Sequence, residues 1–547
     1  MRLKRSKNLD FPVLRSAVVR RSRWERDGFN RVTFFIWVPP ILAILALSAL
    51  LMVLGRAVDF ALLSDRPELV FKDWVFVADP EVAQASILAT LEILAGVFAI
   101  SITVVAIIVQ LSATRYTSRV VDLFLADKFN TLVFFVYVVP LIYGFWLVNA
   151  FSPEDYSPTG TGIFVILATL SILVVFPYFK FVFHLLQPRN IIDRIERSIE
   201  QTLTQVMLDP TSASRARQET INSIRQLSDI ALSSITQADI VLCLQSLDSI
   251  KAATLYYLKI KTRLPEAWFR AQPEQMMGLS QEMLDDIVAS RLWMELEIFK
   301  QYELAYTTSL RKVRDVNSCV ARNLCEIGAV AASYDADRTV EFVIKGFNTL
   351  IMHAQSERDV RSAVTVIYQY RKLAEAVLYR PDLLEKIAKH FKYYGHNSQR
   401  RRIFFILDAV TYDLRILIET VFERFPQNVE PLLAVFLELD QLANTQEDLA
   451  FLRGVRKSQA LLGAYFIRQE RYDLVKRVLE DMAGESKDFL RSVKRDLFGT
   501  TSREFWEIED RGVSFYYVDQ ENRESLETFF AWALGESEPS ATLLAAP

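Results

Sequence analysis

One ionisable residue, Glu92, stands inside an otherwise uncharged stretch from Ser86 to Ser112. Stepping from it at about 100° per residue, the rotation of an α-helix, places Gly96, Ala99, Thr103, Ala106, Gln110 and Thr114 within roughly 40° of one line. A small and polar stripe then runs along a helix whose back carries Leu94, Phe98, Val105 and Ile108. Two kinds of chemistry suit such a stripe. A carboxylate inside a membrane span is costly, which points to a water-filled or ion-conducting path. Small residues equally let two helices approach closely, with Thr and Gln hydrogen-bonding across the contact. The residues leave both readings open. On the path reading, Glu92 lies in the outer part and Arg115 with Arg119 mark the cytoplasmic mouth. Charges of both signs leave selectivity undecided. One such face per chain encloses a pore only in a ring of copies, so that reading expects a homo-oligomer carrying an ion.

The rest of the chain offers little catalytic chemistry. Cys243, Cys319 and Cys325 have no CxxC spacing, and His184, His353, His390 and His396 form neither HExxH nor a pair at metal-ligand spacing. Buried free thiols are the expected state. No phosphate-binding Gly-rich loop or nucleophile elbow occurs, since Gly160-Thr161-Gly162 sits in a turn that opens a membrane helix. Asp285 and Asp286 are adjacent and so face different directions on a helix. The expectation is a non-enzyme with no catalytic residue, no metal, no cofactor and no nucleic-acid partner.

Four stretches long enough to cross a hydrocarbon core position the stripe, at about 32–54, 86–112, 129–151 and 161–183. They form a domain over 32–189. Residues 1–31, a basic cytoplasmic arm, carry ten Lys and Arg against three acids, while 55–81 carry three bases against six acids. With Arg115, Arg119 and Lys128 between spans two and three, and Lys180 in the last turn of span four and Arg189 after it, the positive-inside rule places both termini in the cytoplasm. The expected location is the inner membrane, multi-pass and in contact with lipid.

Beyond Gln187-Pro188 the pattern becomes amphipathic helix after amphipathic helix. Ile191, Ile192, Ile195, Ile199, Leu203 and Met207 fall on one stripe, and similar patterns recur to the end, including an unbroken one over 279–332. No segment alternates with period two. Residues 190–535 thus read as a cytoplasmic all-α domain, a bundle or irregular array of antiparallel hairpins, followed by a flexible tail over 536–547. The segment from Leu461 to Met482 looks a little like a tetratricopeptide unit, but with no fixed period it reads as a plain hairpin. Arg400, Arg401 and Arg402 precede an apolar helix, and a solvated face explains them better than a phosphate or lipid-headgroup site.

Of 547 residues 51% are hydrophobic and only 16 are Gly, with a positive mean hydropathy, which excludes disordered, collagen-like and disulfide-scaffold classes. The net charge of -3 conceals two unlike parts, with 18 bases and 14 acids before residue 190 and 45 and 52 after it.

The segment GVFAISITVVAIIVQLSATRYTSRVVDLFLADKFNTLVFFVYV, Gly96 to Val138, resembles the bacterial predicted membrane proteins grouped as domain of unknown function 2254, of which this chain would be a divergent member. Asp229, Ile230, Ala231, Leu232, Leu247 and Asp248 match that family's cytoplasmic segment, whereas its Pro-Gly-Asn-Asp-Pro turn is replaced here by SSITQAD. The resemblance implies the membrane topology and carries no established activity. Two functions follow as expectations: an oligomeric channel lined by the second span with a helical vestibule, or a non-enzymatic scaffold or sensor binding a cytoplasmic partner.

Overall fold

The computed structural model describes residues 79–115, 121, 124, 127–150, 158–270, 281–440, 449–505 and 510–537. The basic arm 1–31, the first expected span 32–54, Arg119 and residues 538–547 of the tail lie outside them. Contacts divide the chain into two units, Met1–Gln187 and Pro188–Pro547. Among the described residues the structure is helical, with one isolated β-bridge between Glu504 and Val513.

The first unit contains α1 (Pro80–Arg115), α2 (Lys128–Asn149) and α3 (Pro158–Leu185), each packed against the other two. All three are long and apolar enough to cross a membrane. At about 1.5 Å per residue the 36 residues of α1 outrun a hydrocarbon core of roughly 30 Å, so this helix extends beyond the span read from sequence. Leu94, Val133, Tyr137 and Ala168 form the buried centre. Ile100, Phe135, Trp146 and Ile166 point outward, exposed, as lipid-facing residues do. Gly144 permits the close approach, because a Cβ there would stand 2.5 Å from the Phe164 ring and 2.8 Å from Leu91. The Ser171 hydroxyl donates to the Val136 carbonyl at 2.8 Å across the α2–α3 contact.

The second unit is a two-layer stack. One layer contains α4 (Pro188–Leu208), α6 (Ile240–Ile260), α10 (Arg314–Ser333), α12 (Val360–Ala376), α14 (Phe404–Arg424) and α16 (Leu449–Arg468), each against the next. The other contains α5 (Ala213–Thr236), α9 (Trp293–Ser309), α11 (Asp337–Ser356), α13 (Pro381–Arg400) and α15 (Val429–Leu437). Two short helices, α7 (Glu266–Phe269) and α8 (Gln281–Ala289), bridge α6 to α9. Helices within the first layer are parallel. Gln245 reaches Asp193 at 3.5 Å and Tyr256 meets Thr204 at 2.8 Å, while Lys251 pairs with Glu326 at 3.0 Å and Asn317 donates to Ser362 at 2.8 Å. The first residues of α4, α6, α10, α12 and α14 therefore stand at one end of the stack, with the last residues of α9, α11 and α13.

The stack has a period that the sequence does not show. Successive first-layer helices begin at 314, 360, 404 and 449, about 45 residues apart, within the range of two-helix solenoid repeats. The expected irregular array is thus corrected to a regular one, although Leu461–Met482 is a plain hairpin of α16 and α17 (Tyr472–Met482). The unbroken pattern over 279–332 is corrected too, being the three helices α8, α9 and α10. The turns at fault are made by left-handed residues that are not glycine: Arg291 and Arg311 there, with Ala238, Asp335, Arg358, Arg402 and Glu470 elsewhere. Each αL residue costs on the order of 1 kcal/mol. The turns recover it by closing the helix end, as when the Ala336, Asp359 and Ile403 amides donate to Ala331, Ala354 and Ser398 at 3.0, 2.9 and 2.9 Å.

The chain ends with α18 (Lys487–Gly499), an irregular segment and α19 (Gln520–Ala533), both helices packing on α16. In the irregular segment Phe515 joins Val364, Ala409 and Tyr412 in a buried cluster.

Candidate functional site

The stripe on α1 faces away from α2 and α3. Leu94, Ser101, Val105 and Val109 are the buried side of this helix, and Phe98 stacks on Tyr137 with ring centroids 5.1 Å apart. Glu92, Gly96, Ala99, Thr103, Ala106 and Gln110 are all exposed on the opposite side. A Cβ added at Gly96 would meet nothing within 4 Å. Helical spacing therefore brings these six together, and the three-helix packing leaves them uncovered by α2 and α3. Thr114 and Arg115 belong to the last turn of α1, with side chains outside the described set, as is Arg119 entirely.

Local chemistry along the stripe is uneven. The Thr103 hydroxyl donates to the Ala99 carbonyl at 2.8 Å, an intrahelical bond that satisfies it without any neighbour. Glu92 has no such partner among the described residues. A carboxylate at that depth needs water, a cation, a proton or a donor from another chain.

In the second unit the most deeply buried charges are, by contrast, paired with one another. Asp413, fully buried on α14, accepts from Arg371 Nε at 2.8 Å and pairs with Arg511, whose Nη2 also donates to the Val364 carbonyl at 3.1 Å. Arg371 also binds Glu375. Arg456 is buried among Asp440, Asp481 and Glu485 at 2.7–2.8 Å. Sequence reading missed both clusters because their members lie up to 147 residues apart. The three cysteines are buried, and burial pushes each thiol up to about 12, so they are poor nucleophiles. Among the described residues no group of His, Cys, Asp and Glu could hold a metal. Arg400, Arg401 and Arg402 are exposed at the end of α13, with Arg401 donating to the Gln355 carbonyl at 3.3 Å.

Residues 34–235 match the family described as "Predicted membrane protein (DUF2254)", which covers α1 to α3 and nearly all of α4 and α5. No curated protein matches the chain. Among solved structures, a circular tandem repeat protein with novel repeat topology and enhanced subunit contact surfaces aligns at 15% identity over 63% of this chain and 88% of its own, with a TM-score of 0.27.

Proposed function

We propose that this chain, whose residues 34–235 match the family described as a predicted membrane protein, DUF2254, forms an oligomeric conduit lined by the Glu92–Gln110 face of α1. On this reading it is a multi-pass protein of the inner membrane with both termini in the cytoplasm, no enzymatic role, and the helical unit as the vestibule. One observation carries the reading: the face bearing the intramembrane carboxylate looks away from the helices that pack α1. A ring of copies would bring Glu92 from each protomer to a shared axis, where water or a cation would hold it. In reconstituted liposomes the parent protein is expected to pass ions, Glu92→Gln to alter the flux and Thr103→Trp to reduce it. A parent that passes no ion, or variants that match it, would overturn the proposal.

A scaffold reading draws on a different feature. Stacked helix pairs make extended surfaces that hold partner proteins, and α4 to α16 form such a stack. Partner binding by the detached unit, residues 190–535, would favour it.

A further inference from the structure

The end of the stack at which α4 begins is chemically unlike the other end. Three turns there abut one another: 310–315, 357–361 and 400–403. The Arg311 amide donates to Asp359 Oδ2 at 2.8 Å, and Arg401 reaches the Gln355 carbonyl at the end of α11. Together these turns contain eight Lys and Arg against three acids, in a unit that is net acidic. The corresponding turns of the opposite end, 334–338, 378–382 and 425–430, contain two bases against four acids.

Some of this positive charge has an ordinary explanation, since bases complement the carbonyl ends of α9, α11 and α13. That explanation does not reach the apolar side chains beside it. Ile240 and Val241 open α6 at the same end, and Val241 is 78% exposed; Phe404 and Phe405 follow Arg402 directly and are also exposed. Bases interleaved with exposed aliphatic and aromatic residues are the composition of a surface that rests on a lipid interface.

We infer that this edge, from Val241 through Arg311 and Arg358 to Phe404, docks on the anionic phospholipid headgroups of the membrane that the chain itself enters. The bases would supply attraction to headgroup phosphates, and the apolar side chains would sit at the acyl boundary. The inference is independent of whether α1 lines a conduit.

The test uses the full chain in nanodiscs of phosphatidylcholine alone or mixed with phosphatidylglycerol. The native cysteines are buried, so an environment-sensitive dye can be placed on Val241→Cys, with Tyr334→Cys as the opposite-end control. Lipids with a nitroxide on the headgroup then quench the dye by proximity. Quenching at position 241 is expected to be at least about twofold deeper in the anionic discs, to weaken with added salt, and to be shallow at position 334 in both. Combining Arg311→Gln, Arg358→Gln, Arg400→Gln and Arg402→Gln should remove the lipid-charge dependence, with unchanged helicity by circular dichroism confirming the fold. Because removing one charge set could loosen a turn, the salt titration on the parent gives a second reading that needs no variant. Equal quenching at the two ends, or quenching at 241 that ignores lipid charge, as an acidic protein partner would give, overturns the inference. Reversal by inorganic phosphate but not by chloride of equal ionic strength would instead make the edge a free-phosphate site and also overturn it.

Discussion

The two units treat polar groups inside an apolar environment in opposite ways. In the helical stack every charged cluster described is closed: Asp413 has Arg371 and Arg511, and Arg456 has three carboxylates. In the three-helix unit the Ser171 hydroxyl is satisfied across a helix contact, whereas Glu92 is turned away from α2 and α3. The same desolvation penalty governs both. Where it is met among the described residues the group is structural, and Glu92 has no hydrogen-bond partner among them. That difference separates Glu92 from the many more numerous charges of the stack.

Replacing Asp413 by Leu should break the comparison most visibly, since it leaves Arg511 buried without its anion and Arg371 with Glu375 alone. A loss of about 3–5 kcal/mol is expected, seen as a fall in thermal unfolding temperature or a rise in protease sensitivity. Glu92→Gln should change the same readouts by less than about 1 kcal/mol, because no partner among the described residues is lost. Equal losses at the two sites would mean that Glu92 is structural after all.

A second variant probes the packed side of the membrane unit. Gly144→Leu must push the Phe164 ring and Leu91 aside, and overpacking of this kind typically costs about 1–3 kcal/mol. The expected result is lower yield of folded protein in detergent, whereas Gly96→Leu on the open face should leave folding intact and act only on assembly or flux. Similar behaviour of the two glycine variants would show that both sides of α1 are packed.

The third prediction concerns pH. Burial pushes the Asp408 carboxyl up to about 6, with the Tyr516 hydroxyl and Lys457 pulling the other way. The folded state thus prefers the protonated form more strongly than the unfolded chain does, so the site destabilises the fold at pH above 6 and ceases to do so as pH falls from about 6 toward 4. Asp408→Asn should therefore be more stable than the parent at pH 8, by about 1–3 kcal/mol, with the advantage vanishing near pH 4. An advantage that persists unchanged at pH 4 would assign it to packing rather than ionisation.

Much of this architecture was legible in the sequence, for physical reasons that also say where legibility stops. Long uncharged runs report membrane helices directly, and α2 and α3 cover the expected segments. The 3.6-residue stripe on α1 separated Leu94 and Val105 from Glu92 and Thr103, which is the division the packing shows. Reading failed where the chain turns without Gly or Pro. Arg291 and Arg311 adopt positive φ at 57° and 61°, a conformation that residue type does not announce, so three helices looked like one. The period of the stack was hidden for a related reason, since helix pairs repeat in space while their surface residues do not. The Asp413–Arg511 pair joins positions brought together only by the folded segment after α18, and no local signal marks it.

The central claim is that the Glu92–Gln110 face meets water in the assembled membrane protein, and cysteine labelling tests it most directly. Single cysteines at Glu92, Ala99, Thr103 and Ala106, compared with cysteines at Ile93, Ile100 and Ile107, would be exposed in native membranes to a charged methanethiosulfonate reagent. The account predicts rapid labelling of the first set and slow labelling of the second, with the pattern repeating at the period of the helix. Uniformly unreactive cysteines along α1 would contradict it, because the face would then be buried against lipid or another helix.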